Sequence, residues 1–197
     1  MTLSQFLTSA ALFEAAVLAV AFVGGWLTGV NPTAALELDG NDLLIGIFAT
    51  IPMLLLLAIC FVVRSKGLRQ VREFVRETIG PYLVDCHWYD IVLLALLAGI
   101  CEEAFFRGFL FLWLEAWNPA LAILISNMLF GLAHAVTPMY AMLASFLGLY
   151  LTALIAADPT PNLLIPITAH SLYDLVAFYV IITDYRLHLR RTPPSDD

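Results

Sequence analysis

About six stretches of this chain run for roughly 17 to 26 residues with hardly a charge among them, and they constrain its fold more than anything else it contains. A bilayer core about 30 Å thick is crossed by about 20 apolar residues in a helix rising about 1.5 Å per residue. The stretches are residues 12–30, 43–63, 88–113, 120–136, 139–157 and 163–183. Of the 197 residues, 61% are hydrophobic and 13% charged, and the mean hydropathy is +0.89. A soluble domain, with about a quarter of its residues charged, has no interior large enough to hide so much apolar surface. The sequence therefore predicts an all-α polytopic membrane helix bundle, one membrane domain over residues 1–197, with about six transmembrane helices. The first Lys or Arg is Arg64, so the first stretch lacks the basic flank of a cleaved signal peptide and is expected to stay in the mature protein.

Turn signals fall between the stretches at Asn31-Pro32, Asn118-Pro119, Pro138, Asp158-Pro159 and Pro161. Of the nine Lys and Arg, Arg64, Lys66, Arg69, Arg72 and Arg76 share one connector, Arg186, Arg190 and Arg191 lie in the tail, and Arg107 stands alone. Basic residues mark cytoplasmic loops. With an even number of spans, both clusters and both termini are expected on the cytoplasmic side of a cell membrane, with Glu37, Asp39 and Asp42 outside. An odd number would split the two basic clusters between opposite sides. Across residues 64–80, Leu68, Val71, Phe74, Val75 and Ile79 recur at helical spacing among Arg69, Arg72, Glu73, Arg76 and Glu77. This predicts an interfacial amphipathic helix, serving as a connector or as a gate. No basic patch offers a nucleic-acid surface, and the net charge of −7 is segregated rather than concentrated there. Cys60, Cys86 and Cys101 form neither a disulfide framework nor a CxxC metal pattern and read as buried thiols, although Cys101 adjoins the charged motif described next.

A charge at mid-membrane costs at least about 2.5 to 3.5 kcal/mol, so an ionisable residue inside a span is a functional candidate by default. The third stretch holds Glu102, Glu103 and Arg107. On a helix Glu103 and Arg107 are i, i+4 neighbours and pair, while Glu102 points about 100° away and has no local partner. Glu103 is thus expected to be structural, and Glu102 is free to act as a base or to bind water or metal. The fourth stretch puts Asn127, Gly131 and His134 on one face, and in the sixth His170 and Asp174 are i, i+4, an imidazole facing a carboxylate. His134 alone would read as packing. Two carboxylates, two imidazoles and an ion pair offered to one bundle interior do not.

These residues also carry a resemblance. Glu102-Glu103-Ala104-Phe105-Phe106-Arg107 resembles an EExxxR motif, Phe130 to His134 an FxxxH motif, and His170 to Asp174 an HxxxN/D motif, in the order found in the CAAX protease and bacteriocin-processing (CPBP) family of intramembrane proteases, related to type 2 CAAX prenyl endopeptidases. The similarity covers roughly residues 88–180, which are expected to form the catalytic core. It implies an intramembrane endopeptidase in which Glu102, helped by His134, activates water, while His170 and residue 174 stabilise the oxyanion. An ionised Asp174 cannot donate a hydrogen bond, so orienting His170 suits it better.

Metal dependence stays open. Glu102, His134 and His170 resemble a His₂Glu zinc set with one open position, but no HExxH signature is present, and a metal-free glutamic mechanism is preferred, with zinc as the alternative cofactor. The expected partners are a peptide or membrane-anchored protein substrate and the lipid bilayer, with no nucleic acid. The resemblance implies prenylated CAAX substrates for eukaryotic members and peptides, toxins or regulators for prokaryotic ones, which a chain this short resembles more. Competing readings are an ion- or proton-coupled transporter, disfavoured by the lack of internal repeats, and a catalytically silent immunity or scaffold protein of the same fold. Neither substrate nor oligomeric state is legible.

Overall fold

The computed structural model describes residues 1–157 and 160–191. The predicted Asp158-Pro159 turn and the tail beyond Arg191 lie outside them. The described chain is all helix and connecting turn: α1 (Leu3–Thr28), α2 (Gly40–Val62), α3 (Lys66–Thr78), α4 (Gly80–Leu83), α5 (Trp88–Glu103), a π-helical segment (Ala104–Phe111), α6 (Leu112–Glu115), α7 (Pro119–Ala133), α8 (Pro138–Ala156) and α9 (Leu164–Arg191). Caps sit where the turn signals fall. Asn118 and Thr137 accept from the backbone N–H of Leu121 and Tyr140, each just ahead of a proline in the first helical turn. Asp39 caps α2 through the N–H groups of Asn41 and Asp42, and Ser65 caps α3 through that of Leu68.

Two ends differ from expectation. Helix α1 begins at Leu3 because Thr2 and Gln5 form a capping box, and Phe6 then stacks on Tyr82 at 5.0 Å. Helix α9 continues past its apolar run to Arg191 because its last turns pack on α3 and α4, with Tyr185 against Gly80 and Asp184 within 3.7 Å of Arg76.

Polarity is distributed inside out. Leu12, Val20, Val23, Leu44, Phe48, Leu55 and Leu124 face outward, while Glu102, Glu103, Arg107, Asn127, Thr152 and His170 are buried. Exposed apolar surface on this scale is a lipid-facing surface, and the chain is a membrane protein. Four helices are long and apolar enough to cross a bilayer, namely α1, α2, α8 and α9. The unbroken helical run from Trp88 to Glu115 fails that criterion because it carries the charged motif, and α7 because it has 15 residues. The amphipathic connector expected over residues 64–80 is a helix over Lys66–Thr78, with Leu68 buried and Arg69 and Glu73 outward.

Three features bring the motifs to one level. Helix α7 is only about 22 Å long and ends at Ala133 inside the bundle. Helix α9 starts deep, because the segment before it is stitched to the α1–α2 loop: Leu163 N–H donates to Ala35 O at 2.7 Å, and Asn162 Nδ2 donates to Glu37 O and to the Asp42 carboxylate at 2.8 and 2.7 Å. Helices α5 and α9 approach closely at Gly99, where a Cβ would strike Ser171 Oγ. The same loop crosses the π segment at Gly108, whose missing side chain makes room for the Pro32 carbonyl.

Candidate active site

All six residues singled out from sequence converge. Glu102 and Glu103 end α5, Arg107 lies in the π segment, and His170 and Asp174 lie on α9. His134 is one residue past the end of α7 (φ −101°, ψ 13°) rather than within the helix, and this non-helical position turns its ring toward α5. The π segment is legible in no periodicity. Its i→i+5 bonding widens the helix, and every side chain in it but Phe105 is buried; such segments are frequent at functional sites.

The predicted Glu103–Arg107 pair forms at 2.8 Å with both side chains at 0% exposure. Each nitrogen of Arg107 has a partner. Its Nη2 donates to Gly148 O at 2.7 Å and its Nε to Thr152 Oγ1 at 3.4 Å, while its guanidinium stacks over Phe130, 4.6 Å from the ring centroid. Thr152 Oγ1 donates in turn to Asn127 Oδ1 at 3.0 Å. This chain ties the π segment to α7 and α8. The sequence places Asn127 on the right face without giving it a partner, and nothing local marks Thr152 or Gly148.

Glu103 has a second task. His170 Nδ1 lies 2.8 Å from Glu103 Oε1. A carboxylate can only accept, so Nδ1 carries the hydrogen and Nε2 is directed at Asp174 Oδ2, 3.6 Å away. The close partner that orients His170 is therefore Glu103, and Asp174, the residue expected to do so, is an ion-pair neighbour beyond hydrogen-bonding distance.

On the other side of α5 the geometry is open. His134 Nδ1 lies 2.8 Å from Phe130 O, one of the carbonyls left free at the end of α7. A carbonyl also only accepts, so Nδ1 carries a hydrogen, and in the neutral ring Nε2 presents a lone pair. Nε2 is 3.9 Å from Glu102 Oε2, a buried oxygen without a hydrogen-bond partner. His134, His170 and Asp174 line a cavity of about 170 Å³ that continues between α2, α3, α8 and α9 toward Arg72 and Arg76. Its wall is largely apolar, with Leu56, Leu57, Phe61, Leu147 and Phe178 along it. Glu102 and Glu103 do not line it, and reach it through the two imidazoles.

As a metal set, Glu102, His134 and His170 fit poorly. Both ring nitrogens of His170 are directed at carboxylates, and among the described residues no group of three or more His, Cys, Asp or Glu is arranged to hold a metal ion. Motif-based reading of the sequence also passes over Glu14, an ionisable residue in the middle of α1 with a buried, unpartnered Oε2. Its signal is the same as that of the motif glutamates, a carboxylate within an apolar run.

No curated protein and no solved structure matches the chain. Residues 85–176 match the family described as Rce1-like, type II CAAX prenyl endopeptidase Rce1-like. The stretch that contains Glu102, Glu103, Arg107, His134, His170 and Asp174 is thus similar to the Rce1-like family of type II CAAX prenyl endopeptidases.

Proposed function

We propose that this protein is an intramembrane endopeptidase that hydrolyses peptide bonds with a water activated jointly by Glu102 and His134. The observation that carries this reading is the 3.9 Å gap between Glu102 Oε2 and His134 Nε2, two buried or half-buried acceptors with no hydrogen between them. A water held there is deprotonated by Glu102 as it attacks the scissile carbonyl, and the same carboxyl then returns the proton to the leaving amine. His170, held between the Glu103 and Asp174 carboxylates as the doubly protonated imidazolium, keeps Nδ1–H on Glu103 and offers Nε2–H to the developing oxyanion, in surroundings of low polarity where such contacts count most. Asp174 adjusts the charge of His170, and Arg107 holds Glu103 in register. The mechanism is glutamic and needs no metal.

The apolar cavity suits a substrate that arrives from the membrane, a peptide or membrane-anchored protein. The proposed topology has six crossings: α1, α2, the run from Trp88 to Glu115, α7, α8 and α9, with both termini and α3 cytoplasmic. Single cysteines at Thr2 and Ser65, in a protein lacking its native cysteines, should be labelled from the same side of the membrane, and labelling from opposite sides would remove this topology. The reaction itself is tested in proteoliposomes with a quenched peptide ending in a farnesylated CAAX sequence, alongside an ion-flux control. Time-dependent cleavage by the wild type and none by Glu102→Gln is the expected result.

A further inference from the structure

Helix α1 lies outside the stretch that matches the family, and Glu14 is its one ionisable side chain. Glu14 sits about 16 Å along α1 from Leu3, too deep for a short carboxylate side chain to reach an interface. Such a residue is functional by default when a partner can be named. Packing names it. Near one end of α1, Phe6 packs in the cluster of Ile91 and stacks on Tyr82; farther along, Ala21 packs with Phe106 and Phe109. Helices α1 and α5 therefore run side by side in the same direction, and Glu14 comes level with Cys101 and Glu102. Its carboxyl feels the charges of Glu102, His170 and Asp174.

Glu14 Oε2 and Glu102 Oε2 are both buried and both lack a hydrogen-bond partner. Carboxylate oxygens cannot satisfy one another, and a buried acceptor left bare costs about 1–3 kcal/mol. One hydrogen between the two carboxyls relieves both. We propose that Glu14 is a positioning residue of the active site, sharing a hydrogen with Glu102 so that the Glu102 carboxylate is held toward His134 and its basicity is set from outside the motif helices. The lone pairs of Glu102 are enough for this contact and for the water at the same time. No atom of Glu14 touches the substrate.

This inference rests on the hydrolytic reading of Glu102, and its test separates the two. With the farnesylated CAAX peptide in proteoliposomes, Glu14→Leu should lower kcat by roughly 10-fold or more, a part of the 10² to 10⁴ of general-base catalysis, with KM within about 3-fold. Glu14→Gln, which keeps a donor, should recover most of that loss. The acid limb of the kcat profile against pH should move in Glu14→Leu. A merely structural Glu14 would change neither that profile nor the ranking of Gln above Leu. Independently of any substrate, the infrared carboxylic-acid stretch that Glu14→Gln removes should shift in Glu102→Gln. Glu14→Leu with wild-type kcat and pH profile while Glu102→Gln is inactive would overturn the inference alone. An active Glu102→Gln would overturn the hydrolytic reading, and an unshifted infrared band would overturn the shared hydrogen whether or not the peptide is cleaved.

Discussion

The two sides of the α5–π helix differ in whether the glutamate has a charged partner within hydrogen-bonding distance. Toward α8, Arg107 is held by Glu103, Gly148 O, Thr152 and the Phe130 ring, and Thr152 is held by Asn127; Glu103 takes both Arg107 and His170 on Oε1 and keeps Oε2 bare. Toward α7 and α1, Glu102 and Glu14 each keep a bare oxygen, and His134 faces Glu102 across 3.9 Å without a hydrogen bond. Glu102 and Glu103 are adjacent in sequence, yet one lies on each side. A membrane interior repays buried charge when its partners are complete. Glu102 has no charged partner within hydrogen-bonding distance, which leaves its carboxylate free for the water and the proton of the proposed mechanism.

The sharpest way to break this contrast is Glu102→Gln, which keeps the shape of the side chain and removes its capacity to take a proton. Turnover should fall by about 10² to 10⁴-fold with the melting temperature in detergent unchanged. His134→Ala should match it, and the double variant should be little worse than either, since groups acting as a unit are non-additive. Near wild-type cleavage by Glu102→Gln would erase the distinction between the two sides.

On the bonded side the loss should appear in stability instead. Arg107→Ala leaves Glu103 with His170 alone and should cost about 3–5 kcal/mol, read as a lower unfolding midpoint in mild detergent. Glu103→Gln should also lower it, through Arg107 and through His170 together. An unchanged midpoint in both would count against the pairing. Thr152→Val removes two links, to Arg107 and to Asn127, and should cost about 0.6 to 1.7 kcal/mol for each, the range of interhelical hydrogen bonds in membranes, with cleavage retained. The smallest expected effect is that of a chelator, which should leave the cleavage rate of the wild type where it was. Loss of activity restored by added zinc would replace the glutamic mechanism.

Much of this is legible in the chain because it is local. The apolar runs announce the helices, Asn118-Pro119 and Pro138 announce their starts, and i, i+4 spacing announces Glu103 with Arg107. The Glu103–His170 bond joins residues 67 apart in sequence, and Arg107 reaches Thr152 across 45. No periodicity encodes such contacts, which depend on how far α9 is recessed and where α7 stops. The π segment is hidden for a related reason: its sequence is apolar and helical on any scale, and only packing around Gly108 and Arg107 decides which hydrogen-bonding pattern it adopts. Glu14 stands in plain view in the sequence and goes unread because it belongs to no motif.

The shortness of α7 has a consequence for the lipid around the protein. Leu121, Leu124, Met128 and Leu132 give it an outward apolar face, but its 15 residues fall about 8 Å short of an average hydrocarbon core. Hydrophobic mismatch costs fractions of a kcal/mol per Å, met by local thinning of the bilayer. In the proposed six-crossing topology the membrane should therefore dimple beside the helix that ends at Ala133, bringing the headgroup region nearer to the site, and short-chain lipids should relieve the strain that long-chain lipids impose.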